Sequence, residues 1–124
     1  MSVIPAADAR RTSTPNATMT TYASPSQGRS TQALWRVEMV PGAAGPRHTM
    51  NCEQIWTTQD GAAQVTVGES RHDLTPGDTV VIPAGAVRQV IADPVHGFTA
   101  IVTGTGGALA TADDRDAVVP PWMA

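Results

Sequence analysis

Lysine is missing from this chain. All eight basic residues are arginines, so neither a Schiff base nor a lysine nucleophile can form on it. Cysteine is nearly missing too: Cys52 stands alone, which excludes an internal disulfide. Aromatic residues make up only 4 %, so a core has to be assembled from Val, Ala, Ile, Leu and Met. No apolar run approaches the roughly 18 residues of a membrane helix, and the N-terminus has no apolar signal core. The net charge of −3 comes without a basic cluster, leaving no footprint for nucleic acid or an anionic membrane. These absences predict a soluble, cytoplasmic protein whose partner is a small molecule rather than nucleic acid or membrane.

What the sequence does have is punctuation. Eleven glycines and ten prolines in 124 residues favour short strands separated by turns. Residues 1–31, rich in Ser, Thr, Pro and Ala, show no sustained period and are expected to form a flexible N-terminal arm. Residues 32–124 are expected to form one β-barrel domain. From Ala33 to Val40 the pattern alternates, with Trp35, Val37 and Met39 on one face and Arg36 and Glu38 on the other. Further short strands are predicted over 54–58, 63–67, 71–74, 79–82, 88–92 and 98–103, each bounded by a turn signal; Asp60-Gly61 reads as a hairpin. No segment has a convincing helical period, and Ala108 to Ala112 allows one helical turn at most. Val118 to Met123 is an apolar tail following the acids Asp113 to Asp116. It is expected to pack on the barrel or on a second subunit, or else to place Trp122 as a lid.

Two runs carry more information than the rest. Gly42, His48, Met50, Gln54 and Gly61 fall on the spacing Gly, five residues, His-x-His, three residues, Glu, six residues, Gly. Gly77, Pro83, Gly85, Arg88 and Ala92 fall on Gly, five residues, Pro-x-Gly, two residues, His, three residues, Asn. The chain thereby resembles the cupin superfamily over about residues 33–105. The resemblance implies an all-β, cupin-type double-stranded β-helix, or jelly-roll barrel, and a homodimer. In that family three His and one Glu hold a divalent transition metal. Here only His48 is kept, with Met50, Gln54 and Arg88 at the other three positions.

A guanidinium stays protonated and cannot ligate a metal. Its repulsion of a divalent ion a few Å away amounts to several kcal/mol even at an effective dielectric of about 20. The expected cofactor is therefore none. Inward-facing His48 and Arg88 are the candidate catalytic pair, an acid/base and an oxyanion stabiliser; Met50, Gln54, Trp56 and Trp35 are the candidate ligand-binding residues. The predicted function is binding, or isomerising or cyclising, a small anionic or aromatic carbonyl compound. Alternatives are a metal-dependent, dioxygenase-like enzyme with one divalent metal on His48, Met50, Gln54 and His96, and a non-catalytic interaction protein. A Cu(I) site on His48, Met50 and Cys52 would need the strand to continue through Asn51. Arg88 has a further option, pairing with Glu53 at the rim. His72 is expected at the surface.

Overall fold

A computed structural model describes the whole chain, Met1–Ala124. Eleven strands form two antiparallel sheets. They are β1 (Arg10–Ser13), β2 (Thr18–Ala23), β3 (Gln32–Met39), β4 (His48–Met50), β5 (Gln54–Gly61), β6 (Ala63–Val67), β7 (Ser70–Leu74), β8 (Thr79–Ile82), β9 (Arg88–Ala92), β10 (Phe98–Thr105) and β11 (Ala110–Ala112). One sheet runs β1-β2-β3-β10-β5-β8 and the other β11-β4-β9-β6-β7. Short strands alternating between two facing sheets make a jelly roll. No helix is long and apolar enough to cross a membrane.

The alternation in β3 buries Trp35, Val37 and Met39 between the sheets, where they join Val65, Ile82, Phe98 and Val102. β10 lies at the centre of its sheet, pairing with both β3 and β5. It buries Phe98, Ala100 and Val102 on its inner face. Small and β-branched residues thus build the core that the scarcity of aromatics demands.

Three expectations are corrected. The segment 10–23 is not a loose arm: β1 pairs with β2 and β2 with β3, and Met19 and Thr21 are buried. Its ordering entropy is met by hydrogen bonds from the edge of β3, a non-local partner that composition does not reveal. Asp60-Gly61 does not close a hairpin. β5 and β6 belong to different sheets, and the chain crosses between them here. Gly61 has φ 69°, and a Cβ on it would collide with the Gly97 carbonyl, so the glycine serves a close backbone approach. Residues 110–112 are a strand paired with β4 rather than a helical turn.

The C-terminal tail closes one side of the cavity. A 3-10 turn at Pro121–Met123 packs on β1, β2 and β3, with Met123 fully buried. Thr21 Oγ1 donates to the Trp122 carbonyl at 2.9 Å, and Arg10 Nη2 donates to the Pro121 and Ala124 carbonyls at 3.0 and 3.2 Å. The tail is thus engaged by its own barrel, and Trp122 lines the cavity while it packs.

Candidate functional site

A cavity of about 510 Å³ opens between the sheets, within the 300–1,000 Å³ range of small-molecule sites (roughly). Its wall is mostly apolar: Trp35 and Met39 from β3, Val90 from β9, and Trp122 from the tail. Three polar or soft groups from the first motif, His48, Met50 and Gln54, line it together with Trp56. Trp56 is stacked near Phe98, with ring centroids 6.4 Å apart and planes 13° from parallel, an arrangement that fixes its indole.

The chain brings the sequence-predicted set together with one change of role. Arg88 on β9 sits directly opposite His48 on β4, yet its guanidinium turns into the protein. Nε donates to the Ala86 carbonyl at 3.0 Å, Nη2 to the Pro83 carbonyl at 3.1 Å, and Nη1 to Gln54 Oε1 at 3.3 Å. Arg88 is 1 % exposed and is not part of the cavity wall. Burial lowers its affinity for a proton, with the Cys52 sulfur acting in the opposite sense. It ties the Pro83-Ala84-Gly85 turn to β5. It does not pair with Glu53, which is exposed; the chain's ion pair is Arg36–Glu38.

This network fixes the orientation of Gln54. Trp56 Nε1 also donates to Gln54 Oε1, at 3.2 Å. An indole N–H and a guanidinium N–H are obligate donors, so the atom receiving both is the amide oxygen. The amide NH₂ is left pointing away from them, and its partner is the Met123 thioether at 3.8 Å, a weak acceptor. Gln54 is therefore a buried donor poorly matched by the protein, 3 % exposed and part of the cavity wall.

His48 is oriented in the same way. Its Nδ1 lies 2.9 Å from the Pro46 carbonyl. A carbonyl only accepts, so Nδ1 carries the proton and Nε2 keeps a free lone pair. Burial pushes the imidazole below its ordinary value; the Pro46 bond opposes this, and the Arg88 charge adds to the lowering. The ring is thus a neutral base at pH 7. The sign for stability follows: with the folded value below the unfolded one of about 6.5, the unfolded chain takes the proton first as pH falls. His48 costs nothing above that pH and destabilises the fold progressively below it. Thermal unfolding between about pH 7.5 and 5 should therefore show a larger drop in Tm for the wild type than for His48→Gln. Equal drops would mean that the ring is solvated.

The other candidates are not brought to the site. β4 ends at Met50 and Asn51–Cys52 is a bend, so Cys52 is buried beside Gly104 and outside the cavity wall rather than in line with His48 and Met50. His96 is exposed in the β9–β10 loop, where its backbone N–H and that of Val95 donate to Asp93 Oδ2 at 2.8 and 3.0 Å. Those bonds hold the Asp93 carboxyl below its usual range. His72 is exposed on β7. Nowhere do three His, Cys, Asp or Glu side chains converge. A divalent ion does not fit the family's ligand positions here: one imidazole, one thioether and one amide are offered, and the fourth position holds a cation. Sequence reasoning missed Met19, Met123 and the carbonyls of Pro83 and Ala86. Only the apolar tail signalled Met123.

The architecture and the cavity together define a jelly-roll barrel with an internal cavity of about 510 Å³. Residues 35–106, more than half of the chain, match the family model described as Cupin domain. The chain belongs to the cupin domain family. No curated protein matches its sequence. Among solved structures it is similar to the polyketide cyclase RemF from Streptomyces resistomycificus, at 16% identity and TM-score 0.76, covering 94% of this chain and 87% of that one. It is similar to a sugar phosphate isomerase of the cupin superfamily from Silicibacter pomeroyi, at 24% identity and TM-score 0.64, covering 79% and 67%. It is also similar to a cupin 2 domain-containing protein from Halorhodospira halophila, at 18% identity and TM-score 0.70, covering 85% and 70%. At these identities the likeness concerns the fold.

Proposed function

We propose that the barrel cavity binds an aromatic carbonyl compound without a metal and moves a proton on it. The observation carrying this reading is the Gln54 amide, locked by Arg88 and Trp56 so that its N–H end faces an apolar cavity with only a thioether to receive it. A ligand carbonyl oxygen is a better acceptor than that sulfur. His48 Nε2 then serves as the base. It takes the proton α to the carbonyl, the C–H electron pair moves into the carbonyl, and the Gln54 N–H stabilises the oxygen that gains charge. Return of the proton to another carbon isomerises the compound; attack by the enolate carbon on a second carbonyl closes a ring, and the alkoxide formed as that C=O opens takes the proton back from His48. The flanking Trp35, Trp56 and Trp122 offer faces to an aromatic ring. An aromatic compound suits this wall better than a small anion, since Arg88 is spent on the protein's own acceptors. A cyclase and an isomerase among the similar folds support the same class of chemistry.

Proton exchange tests it. Aromatic 1,3-diketones incubated with the protein in D₂O are expected to gain deuterium at the α carbon, followed by NMR. His48→Gln should slow the enzyme-dependent exchange by about 10²–10⁴-fold while leaving binding within a few fold. Gln54→Leu should weaken both. If His48→Gln exchanges the label as fast as the wild type, the base has been misassigned.

A further inference from the structure

A second cleft lies on the other side of the same sheet. Residues Ile4, Ala6 and Ala9 form one wall of a depression of about 460 Å³, and Arg11, Thr20 and Arg36 form its floor. The floor follows from strand register. Thr20 on β2 is paired with Arg11 on β1 and with Arg36 on β3, so the three side chains lie in one cross-strand row. Neighbouring Met19 and Thr21 are buried towards the barrel, and alternation sends Thr20 outward. At about 4.8 Å per strand spacing, the two arginines start roughly 10 Å apart, flanking a hydroxyl.

The donors in this row outnumber their acceptors. Thr20 is 8 % exposed, and its Oγ1 has no hydrogen-bond partner; Arg36 Nε is likewise buried without one. Arg36 Nη2 lies 3.1 Å from Glu38 Oε1 as an ion pair, that oxygen being buried with no hydrogen bond of its own, and no carboxylate pairs with Arg11. Tyr22, two residues beyond Thr20 on the same face, adds a ring and a hydroxyl to the cleft. A chain of net charge −3 has thus placed an unpaired guanidinium, a second one paired through a single nitrogen with Glu38, and an unsatisfied buried hydroxyl around one apolar-walled depression. Buried polar groups ordinarily find partners, and the partner missing here is an anionic acceptor.

We propose that this cleft is a binding site for a small oxyanion, a phosphate monoester or carboxylate, held over Thr20 between Arg11 and Arg36. Its apolar substituent lies against Ile4, Ala6 and Tyr22. Guanidinium groups suit such ligands because their forked N–H donors match two oxygens at once. The site is separate from the barrel cavity and stands whether or not the proton-transfer reading holds.

Calorimetric titration of the full chain in low-chloride buffer with phenyl phosphate, benzoate and inorganic phosphate tests it. Phenyl phosphate or benzoate is expected to bind at one site per chain, and the stronger of the two assigns the head group. Inorganic phosphate should bind more weakly, since it lacks the apolar part. Arg11→Gln and Thr20→Val should each raise the dissociation constant by about tenfold or more. Thr20→Val keeps the shape of the side chain and guards against a folding artefact. Arg71→Gln, an exposed arginine on β7, and Gln54→Leu, which weakens binding in the barrel cavity, should leave binding to the cleft unchanged. Absence of binding to wild type by both organic anions overturns the proposal. So does binding that survives both Arg11→Gln and Thr20→Val, or that disappears in Gln54→Leu.

Discussion

Arg88→Ala is expected to lower the unfolding free energy by about 3–5 kcal/mol. The guanidinium is 1 % exposed and all three of its nitrogens are engaged, two by backbone carbonyls and one by Gln54. Truncation leaves the Ala86 carbonyl without a donor, the Pro83 carbonyl with only the long 3.4 Å bond from the Ala86 N–H, and one lone pair of Gln54 unfilled. Each such loss costs about 1–3 kcal/mol when the group stays dry, and the empty volume of the side chain adds a cavity term. Arg88→Met, which refills most of that volume, should recover the cavity part only, because it supplies no donor. Arg88→Lys should fall between them, since an ammonium cannot span three acceptors set out for a planar fork. Urea unfolding with an unchanged m-value gives the comparison. A loss below about 1 kcal/mol for Arg88→Ala would show that water or neighbouring groups take over the three acceptors, and that the residue is free to serve a ligand.

That outcome bears on how much the sequence reveals. The glycine and proline spacing of the two motifs locates Arg88 and His48 on facing strands, and register places them directly opposite one another. Alternation correctly turns Trp35, Val37, Met39 and Gln54 inward. Spacing, however, fixes where a side chain starts, not where it ends. Arg88 is long enough either to enter the cavity or to fold back on its own turn, and the choice depends on the carbonyls of Pro83 and Ala86, which no side-chain pattern encodes. The same reason hides β1 and β2. Their residues are polar and weakly periodic, and they become strands because β3 offers an unpaired edge and because Met19 finds the cavity. The Asp60-Gly61 signal is real as a turn but silent about which sheet follows it. Met123 reaches Gln54 across 69 residues of sequence, a contact that only the folded barrel creates.

The most demanding prediction concerns the family's metal, whose scaffold is kept here although its donors are not. The triple variant Met50→His, Gln54→Glu, Arg88→His is expected to bind one Zn²⁺ per chain with micromolar or tighter affinity (roughly), while the wild type binds none at that level. Three imidazoles and a carboxylate are borderline ligands that suit zinc. The four positions are half-buried to buried, and His48 and residue 88 are already cross-strand neighbours. Removing the guanidinium also removes the positive charge that repels a divalent ion. Without metal the variant should be less stable than the wild type, because the donors to Pro83 and Ala86 are gone and a carboxylate is buried at position 54. Zinc should therefore raise the Tm of the variant by about 10 °C or more and leave the wild type unmoved. Calorimetry and metal content after desalting give the stoichiometry. A variant that folds but takes up no zinc would mean that the Pro46 carbonyl keeps the His48 ring turned, or that the tail at Met123 denies the ion its space. Deleting Trp122 to Ala124 in the same background separates these, since it frees the space and leaves the Pro46 bond untouched.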